Sequence, residues 1–310
     1  MLTRRHFLQG LGGLAAGSAA FGSYALAIEP TLMLDVTRYS VTPTTWPADL
    51  RLKIAVIADI HACEPWMSAS RIREIAEVAN ALDPDLTVVL GDFSGGHHFV
   101  TGPVMPEQWA EALSVLEAPL GSYAILGNHD WWHGPLPGVK SDGAEGVRHG
   151  LRQAGIRLLE NDALRLTHDG QPFWLLGLAD QLAWWNFRTG VRRGADDLAG
   201  TLAQVRDDAP AILLAHEPYI FPKVPDRIAL TLCGHTHGGQ VVLPFMGPVV
   251  AGKRFGSKLV YGHSSEGPRH VIVSAGLGTS IVPVRFMRPP EVVEVTVSGP
   301  NSSAAPLLQS

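Results

Sequence analysis

The sequence predicts an α/β protein, and three observations carry that expectation. Short apolar runs, partly β-branched, recur along the chain. Helix-period segments alternate with them in the first half. Several runs stop abruptly on Gly, Asp, Asn or His, which places polar chemistry at strand ends.

Taken in order, Tyr39 to Pro47 is a Thr/Pro-bearing lead-in, and Leu52 to Ala58 is a buried strand that ends at Asp59. Ser68 to Ala81 places Ile72, Ile75, Ala76 and Ala79 at helical spacing, and Asp83-Pro84 closes that helix. Leu86 to Leu90 is a second strand, ending at Gly91-Asp92. A helix over Pro106 to Glu117, with Trp109, Leu113 and Leu116 on one face, leads to a strand over Ser122 to Leu126. That strand ends at Gly127-Asn128-His129-Asp130.

In the second half a helix over Ala144 to Ala154 precedes strands near Ile156 to Leu159, Ala163 to Thr167 and Phe173 to Leu178. A helix over Asp197 to Asp207 precedes a strand over Ala211 to Ala215 that ends at His216. The strand over Ile228 to Leu232 ends at Gly234-His235-Thr236-His237. Further strands are expected at Gln240 to Leu243, Lys258 to Tyr261, His270 to Ser274 and Val292 to Val297. No repeat or linker divides this span, so the expected organisation is an N-terminal segment 1–28, one domain over 50–298 and a Ser/Pro/Ala-rich, disordered tail 299–310.

A net charge of -5 with 17% charged residues supplies no basic field, so no nucleic-acid partner is indicated. The two cysteines, Cys63 and Cys233, exclude a disulfide-rich scaffold and a four-cysteine zinc module, and read most simply as small packing residues. At the N-terminus, Arg4-Arg5 precedes a Gly/Ala-rich apolar run without charge until Glu29, which looks like a twin-arginine export signal. Ala25-Leu26-Ala27 offers a cleavage pattern that would start the mature chain near Ile28; the alternative is an uncleaved membrane anchor. The expected partner is then the twin-arginine translocase, and the expected location the periplasm or cell envelope, with association at a membrane surface.

Five strand ends deliver Asp59 and His61, Asp92, Asn128, His216, and His235 with His237 to one edge. Gly91, Gly127 and Gly234 stand directly before such residues, where a missing Cβ permits a sharp exit from the strand. Carboxylate, amide and imidazole ligands suit two divalent cations of manganese, iron or zinc.

At these motifs the chain resembles the calcineurin-like metallophosphoesterase family, over roughly Leu52 to Val297. With its Gly-His-Thr-His-Gly-Gly-Gln stretch, Gly234 to Gln240, it is most similar to a bacterial branch of twin-arginine exported phosphodiesterases. That branch includes enzymes similar to UDP-2,3-diacylglucosamine hydrolases, whose cytoplasmic-side substrate is at odds with export. The resemblance implies a four-layer α/β/β/α sandwich. It implies that Asp59, His61 and His237 bind one metal, that Asn128, His216 and His235 bind the other, and that Asp92 bridges them. A shared carboxylate and a shared hydroxide offset the repulsion of two close cations, and the hydroxide is the expected nucleophile. His129 is implied to protonate the leaving alkoxide, with Asp130 accepting its other ring proton.

His97, His98, His133, His149, His263 and His270 read as surface or packing residues, although His97 and His98 follow Asp92 closely enough to reach a pocket rim. Trp131-Trp132 and the stretch Trp184-Trp185-Asn186-Phe187-Arg188 before Arg192-Arg193 either line an apolar, membrane-facing mouth or cap the core. Lys253-Arg254 reads as a solvated pair. The expected reaction is hydrolysis of a phosphodiester or pyrophosphate, small or lipid-linked. The alternatives are a phosphomonoesterase and a non-catalytic metal-binding scaffold. A metallo-β-lactamase-like site is excluded because no His-x-His-x-Asp-His cluster occurs.

Overall fold

The computed structural model describes residues 4–95, 97, 99–133, 141–186, 188–249 and 257–300. Along Leu52–Ile57 the side chains alternate: Ile54 and Val56 enter one apolar cluster, while Ala55 and Ile57 enter another. A strand apolar on both faces must be covered on both faces, and that requirement builds the layers.

Two six-stranded sheets result. Their strands, in chain order, are β1 (Asp35–Val41), β2 (Leu52–Ile57), β3 (Leu86–Leu90), β4 (Ser122–Ile125), β5 (Arg157–Leu158), β6 (Asp162–His168), β7 (Gln171–Gly177), β8 (Ala211–Leu214), β9 (Ile228–Cys233), β10 (Gly262–Glu266), β11 (Arg269–Val273) and β12 (Glu291–Val297). The first sheet has the order β1-β12-β2-β3-β4-β5, with β2 to β5 parallel. The second has the order β10-β11-β9-β8-β7-β6, with β11, β9, β8 and β7 parallel.

One cluster joins the sheets face to face, with Val88, Ile125 and Val295 from the first meeting Leu175, Leu214 and Leu232 from the second. The outer face of the first sheet is covered by helices Ala69–Ala81, Pro106–Leu113 and Glu145–Gln153 through Ile72, Ile75, Trp109 and Leu151. The outer face of the second is covered by a thinner layer, the short helix Leu198–Leu202 and the 3₁₀ turn Pro218–Lys223. The four-layer α/β/β/α arrangement follows. Ser68 caps the first of these helices by accepting from Arg71 N, as its place before the apolar period predicts.

Several expected elements differ. The lead-in expected over Tyr39 to Pro47 begins inside an edge strand, Asp35–Val41, parallel to β12, so the first sheet starts before residue 50. Lys258 to Tyr261 is not a strand: Ser257–Leu259 forms a 3₁₀ turn and pairing starts at Gly262. The helices expected to reach Glu117 and Asp207 stop at Leu113 and Leu202. Both cysteines are free and buried. His98, Phe187, Lys253-Arg254 and the tail from residue 301 lie outside the described residues. The N-terminal segment forms the helix Arg4–Ser23, and among the described residues no helix is long and apolar enough to cross a membrane.

Trp109 is 1% exposed and stacks on Phe93 with ring centroids 5.0 Å apart, just beneath the Asp92 loop. Trp109→Ala is expected to lower the unfolding free energy by about 3–5 kcal/mol in urea titrations. A loss below about 1 kcal/mol would show that the helical layer collapses into the gap.

Candidate metal centre

Strands β2, β3 and β4 of the first sheet and β8 and β9 of the second all end at the same edge, so their exits meet at the seam between the sheets. The backbone turns sharply there. Asp59, His61, Asp92, His235 and His237 all have positive φ, between 47° and 70°, a left-handed conformation uncommon for residues with a Cβ. Such strain persists only where surroundings over-determine it. Here Asp59 N donates to Gly91 O, His61 N to Asp92 O and Gly234 N to His216 O, stitching the exits together. A Cβ on Gly127 would lie 2.3 Å from Asp92 Oδ1, and one on Gly234 would lie 2.5 Å from Asp59 Oδ2, so both positions need glycine for close approach.

The expected ligands converge. His61 Nε2 lies 3.1 Å from His237 Nε2, and His237 Nε2 lies 3.8 Å from Asp59 Oδ1. On the other side, His235 Nδ1 lies 2.8 Å from Asn128 Oδ1. Asp92 is central, its Oδ2 3.4 Å from His61 Nε2 and 3.2 Å from His216 Nε2. Asp59, His61 and His237 therefore form one potential cation cradle, and Asp59, Asp92 and His216 another. His216 and His235 form a third with Glu217.

The chemistry of this set fits cations. His216 Nδ1 sits 2.6 Å from Leu90 O, and a carbonyl only accepts, so the ring donates there and turns the Nε2 lone pair inward. His61 is oriented in the same way by Ser94 O at 3.1 Å. His216 Nε2, Glu217 Oε1 and Asp180 Oδ2 are buried without a hydrogen-bond partner. Burial, opposed by His216, together with the charge of Asp92 pushes Asp59 up to about 7. Burial would also raise Asp92, but His216, His129 and His61 hold it well below the usual carboxylate range. Burial and Glu217 raise Asp180 well above it. So many buried carboxyl groups cannot all ionise without cations between them.

His129 and Asp130 part company. The expected Asp130–His129 ring contact is not formed. Asp130 instead accepts from Asp92 N and Gly127 N through Oδ2, and from Phe93 N and Ser94 N through Oδ1, at 2.8–3.1 Å. Four converging backbone donors are the stronger attraction for a buried carboxylate, so Asp130 is a positioning residue for the Asp92 loop. The His129 ring pairs with His133, Nδ1 to Nε2 at 2.9 Å, and its Nε2 lies 3.3 Å from Ser280 Oγ. Its backbone N donates to Asp92 Oδ1. His133 read as a packing residue in the sequence; only its place four residues after His129, one helical turn away in Asn128–Trp132, could have flagged it. Ser280, Glu217 and Asp180 carried no motif signal.

The tryptophan stretches form the rim. Trp184–Trp185 pairs antiparallel with Arg192–Arg193. The Arg192 guanidinium stacks 4.6 Å from the Trp185 ring centre and 5.6 Å from that of Trp132, whose ring lies 5.4 Å from His129. Arg193 covers Trp184, and Arg148 covers Trp131. Arg192 is near enough for its charge to help, after burial and His216, push the His235 pKa down to about 3.

Comparison with known proteins agrees with this geometry. Residues 52–246 match the family described as calcineurin-like phosphoesterase. The chain is 30% identical over 312 residues to the uncharacterized metallophosphoesterase YkuE of Bacillus subtilis (strain 168), covering 97% of this chain and 99% of that protein. It is 30% identical over 269 residues to an uncharacterized metallophosphoesterase of Aquifex aeolicus (strain VF5), covering 87% and 94%. It is 29% identical over 299 residues to phosphodiesterase YaeI of Escherichia coli (strain K12), covering 94% and 98%. The chain belongs to the calcineurin-like phosphoesterase family and is a metal-dependent phosphoric ester hydrolase.

The roles of Asp130 and His133 can be told apart by mutation. Asp130→Ala strands four buried N–H groups and is expected to cost at least about 2 kcal/mol in thermal or urea unfolding. His133→Ala should leave stability within about 1 kcal/mol while lowering kcat, because it removes a ring partner rather than a loop anchor. Equal stability losses in both variants would contradict these separate roles.

Proposed function

We propose that the protein hydrolyses a phosphodiester or pyrophosphate bond at a two-metal centre, with Asp92 shared between the metals. The observation that carries this reading is the central Asp92, whose Oδ2 faces both His61 and His216 while its Oδ1 receives His129 N. Asp59, His61 and His237 would hold one cation, and Asn128, His216 and His235 the other. When bound, the pair supplies an acidified water as nucleophile and neutralises charge on the phosphoryl oxygens.

The chain's own residues do the rest. His129, oriented by His133, presents Nε2 beside Ser280 Oγ, where a leaving oxygen can take its proton. Arg192, braced on Trp185 and Trp132, stands at the rim where a non-bridging phosphate oxygen would be held. The name of the Escherichia coli relative, a phosphodiesterase, supports the diester reading. Export to the cell envelope by the twin-arginine route is part of this proposal, supported by Arg4-Arg5 and the uncharged run that follows His6.

The test is turnover after loading with manganese, iron or zinc, comparing bis(p-nitrophenyl) phosphate with p-nitrophenyl phosphate. The diester is expected to be the better substrate, and chelation should abolish turnover. Activity on the monoester alone would overturn the diester reading. His129→Ala is expected to keep two metals per chain and lose roughly 10²–10⁴ in kcat. Loss of one metal in that variant would make His129 a ligand instead.

A further inference from the structure

An apolar groove of about 660 Å³ opens beside this centre, lined by Leu26 and Thr31 from the N-terminal segment and by Trp66, Phe99, Val282 and Val284 from the domain. The N-terminal wall is fastened in place. Glu29, fully buried, accepts from Met287 N and Arg288 N; Ala25 O accepts from Arg285 N; and Trp66 Nε1 donates to Leu26 O. The opposite wall is connected along the chain to the surroundings of His129. Val282 lies two residues beyond Ser280, the contact of His129, and Gln240 Nε2 ties both Ser280 O and Val282 O. Trp66 meets His97 edge-on at 5.1 Å.

Among the described residues no charged side chain lines the groove, which suits a hydrocarbon better than an ionic headgroup. Close in sequence to the lining residues, Phe21, Ile28 and Leu32 of the N-terminal segment and Ile281 and Met287 of the domain are large apolar side chains left 42–73% exposed. The volume lies within the range of small-molecule pockets, and the concave form suits a chain of methylenes better than a flat protein partner.

We propose that this groove receives the hydrocarbon chain of an amphiphilic phosphoester whose phosphate lies between Asp92 and His129. The inference deepens the phosphoester reading and rests on it. One polar centre and one apolar groove, joined through Ser280 to Val284, then sort substrates by chain as well as by bond. The N-terminal segment becomes part of the binding site, because cleavage after Ala27 would remove Leu26 from its wall.

The experiment uses the full, metal-loaded chain and two diesters with the same reacting bond, methyl p-nitrophenyl phosphate and decyl p-nitrophenyl phosphate, below micelle-forming concentrations. A fully buried methylene is worth roughly fourfold in affinity, so even a partly open groove should lower KM at least about 10-fold for the decyl ester. Val282→Asp and Phe99→Asp should bring the ratio of the two KM values toward one. Phe245→Asp, at a fully exposed apolar residue on a separate hairpin, should leave the ratio at the wild-type value. A KM independent of chain length, or a ratio that survives both groove variants, overturns the proposal. If neither ester is hydrolysed, the diester reading fails on its own, and calorimetric binding of decyl phosphate decides the groove. Binding weakened by Val282→Asp supports it, and equal binding overturns it.

Discussion

Burying several carboxylates within a few ångströms of one another is the constraint on which the rest of this structure depends. Asp59, Asp92 and Asp130 are each no more than 1% exposed, and each is stabilised differently. Asp130 takes four backbone N–H groups. Asp92 takes one backbone N–H and the facing imidazoles of His61 and His216. Asp59 has the His235 amide, shared by its two oxygens, and otherwise imidazole edges. Asp130 is held by backbone N–H groups alone, and burial beside Asp92 still raises it to about 7. Burial and the neighbouring Asp92 raise Asp59 to about 7, so ionising it beside Asp92 calls for cations between them.

That requirement explains why neither sheet could carry the site alone. Asp59, His61, Asp92 and Asn128 leave the first sheet, while His216, His235 and His237 leave the second. Packing of the two sheets through Val88, Ile125, Leu214 and Leu232 sets the distance between the two halves. Metal binding is thereby coupled to the apolar interface between the two sheets, and loading and folding become linked equilibria. Such a coupling suits an export route that carries folded proteins.

The parts legible in the sequence were those where one residue type served two demands. An apolar strand that ends on Gly-Asp or Gly-Asn-His signals both a buried sheet and a polar edge, so β2, β3, β4, β8 and β9 and their ligands could be read directly. Edge strands gave no such signal. In β1 most positions are exposed or half-buried, and β10 is Gly-His-Ser-Ser-Glu, because an edge strand with solvent on one side needs little apolar content. The role of Asp130 was misread for a related reason. Adjacency to His129 suggested a ring contact, but a residue in the first turn of Asn128–Trp132 is directed back toward the Asp92 loop. His133 reaches the centre from the end of a short helix, where its spacing from His129 is the one sequence signal, and Ser280 reaches it from a loop that only the three-dimensional path reveals.

The segment between β11 and β12 unites these features. It crosses from the second sheet to the first over the strand ends, giving Gly278 N to Asp59 O and Leu277 N to Ala58 O on the way. Arg285, fully buried, binds Ala275 O, Gly278 O and Arg288 O, which closes the segment on itself, and its Nη2 stands 3.4 Å from His237 Nδ1. The same arginine's backbone N holds Ala25 O of the N-terminal segment. One crossover therefore sets the position of Asp59, braces His237, presents Ser280 to His129 and forms a wall of the apolar groove. Arg285, a single buried side chain in a close-packed interior, thus links the N-terminal segment to His237.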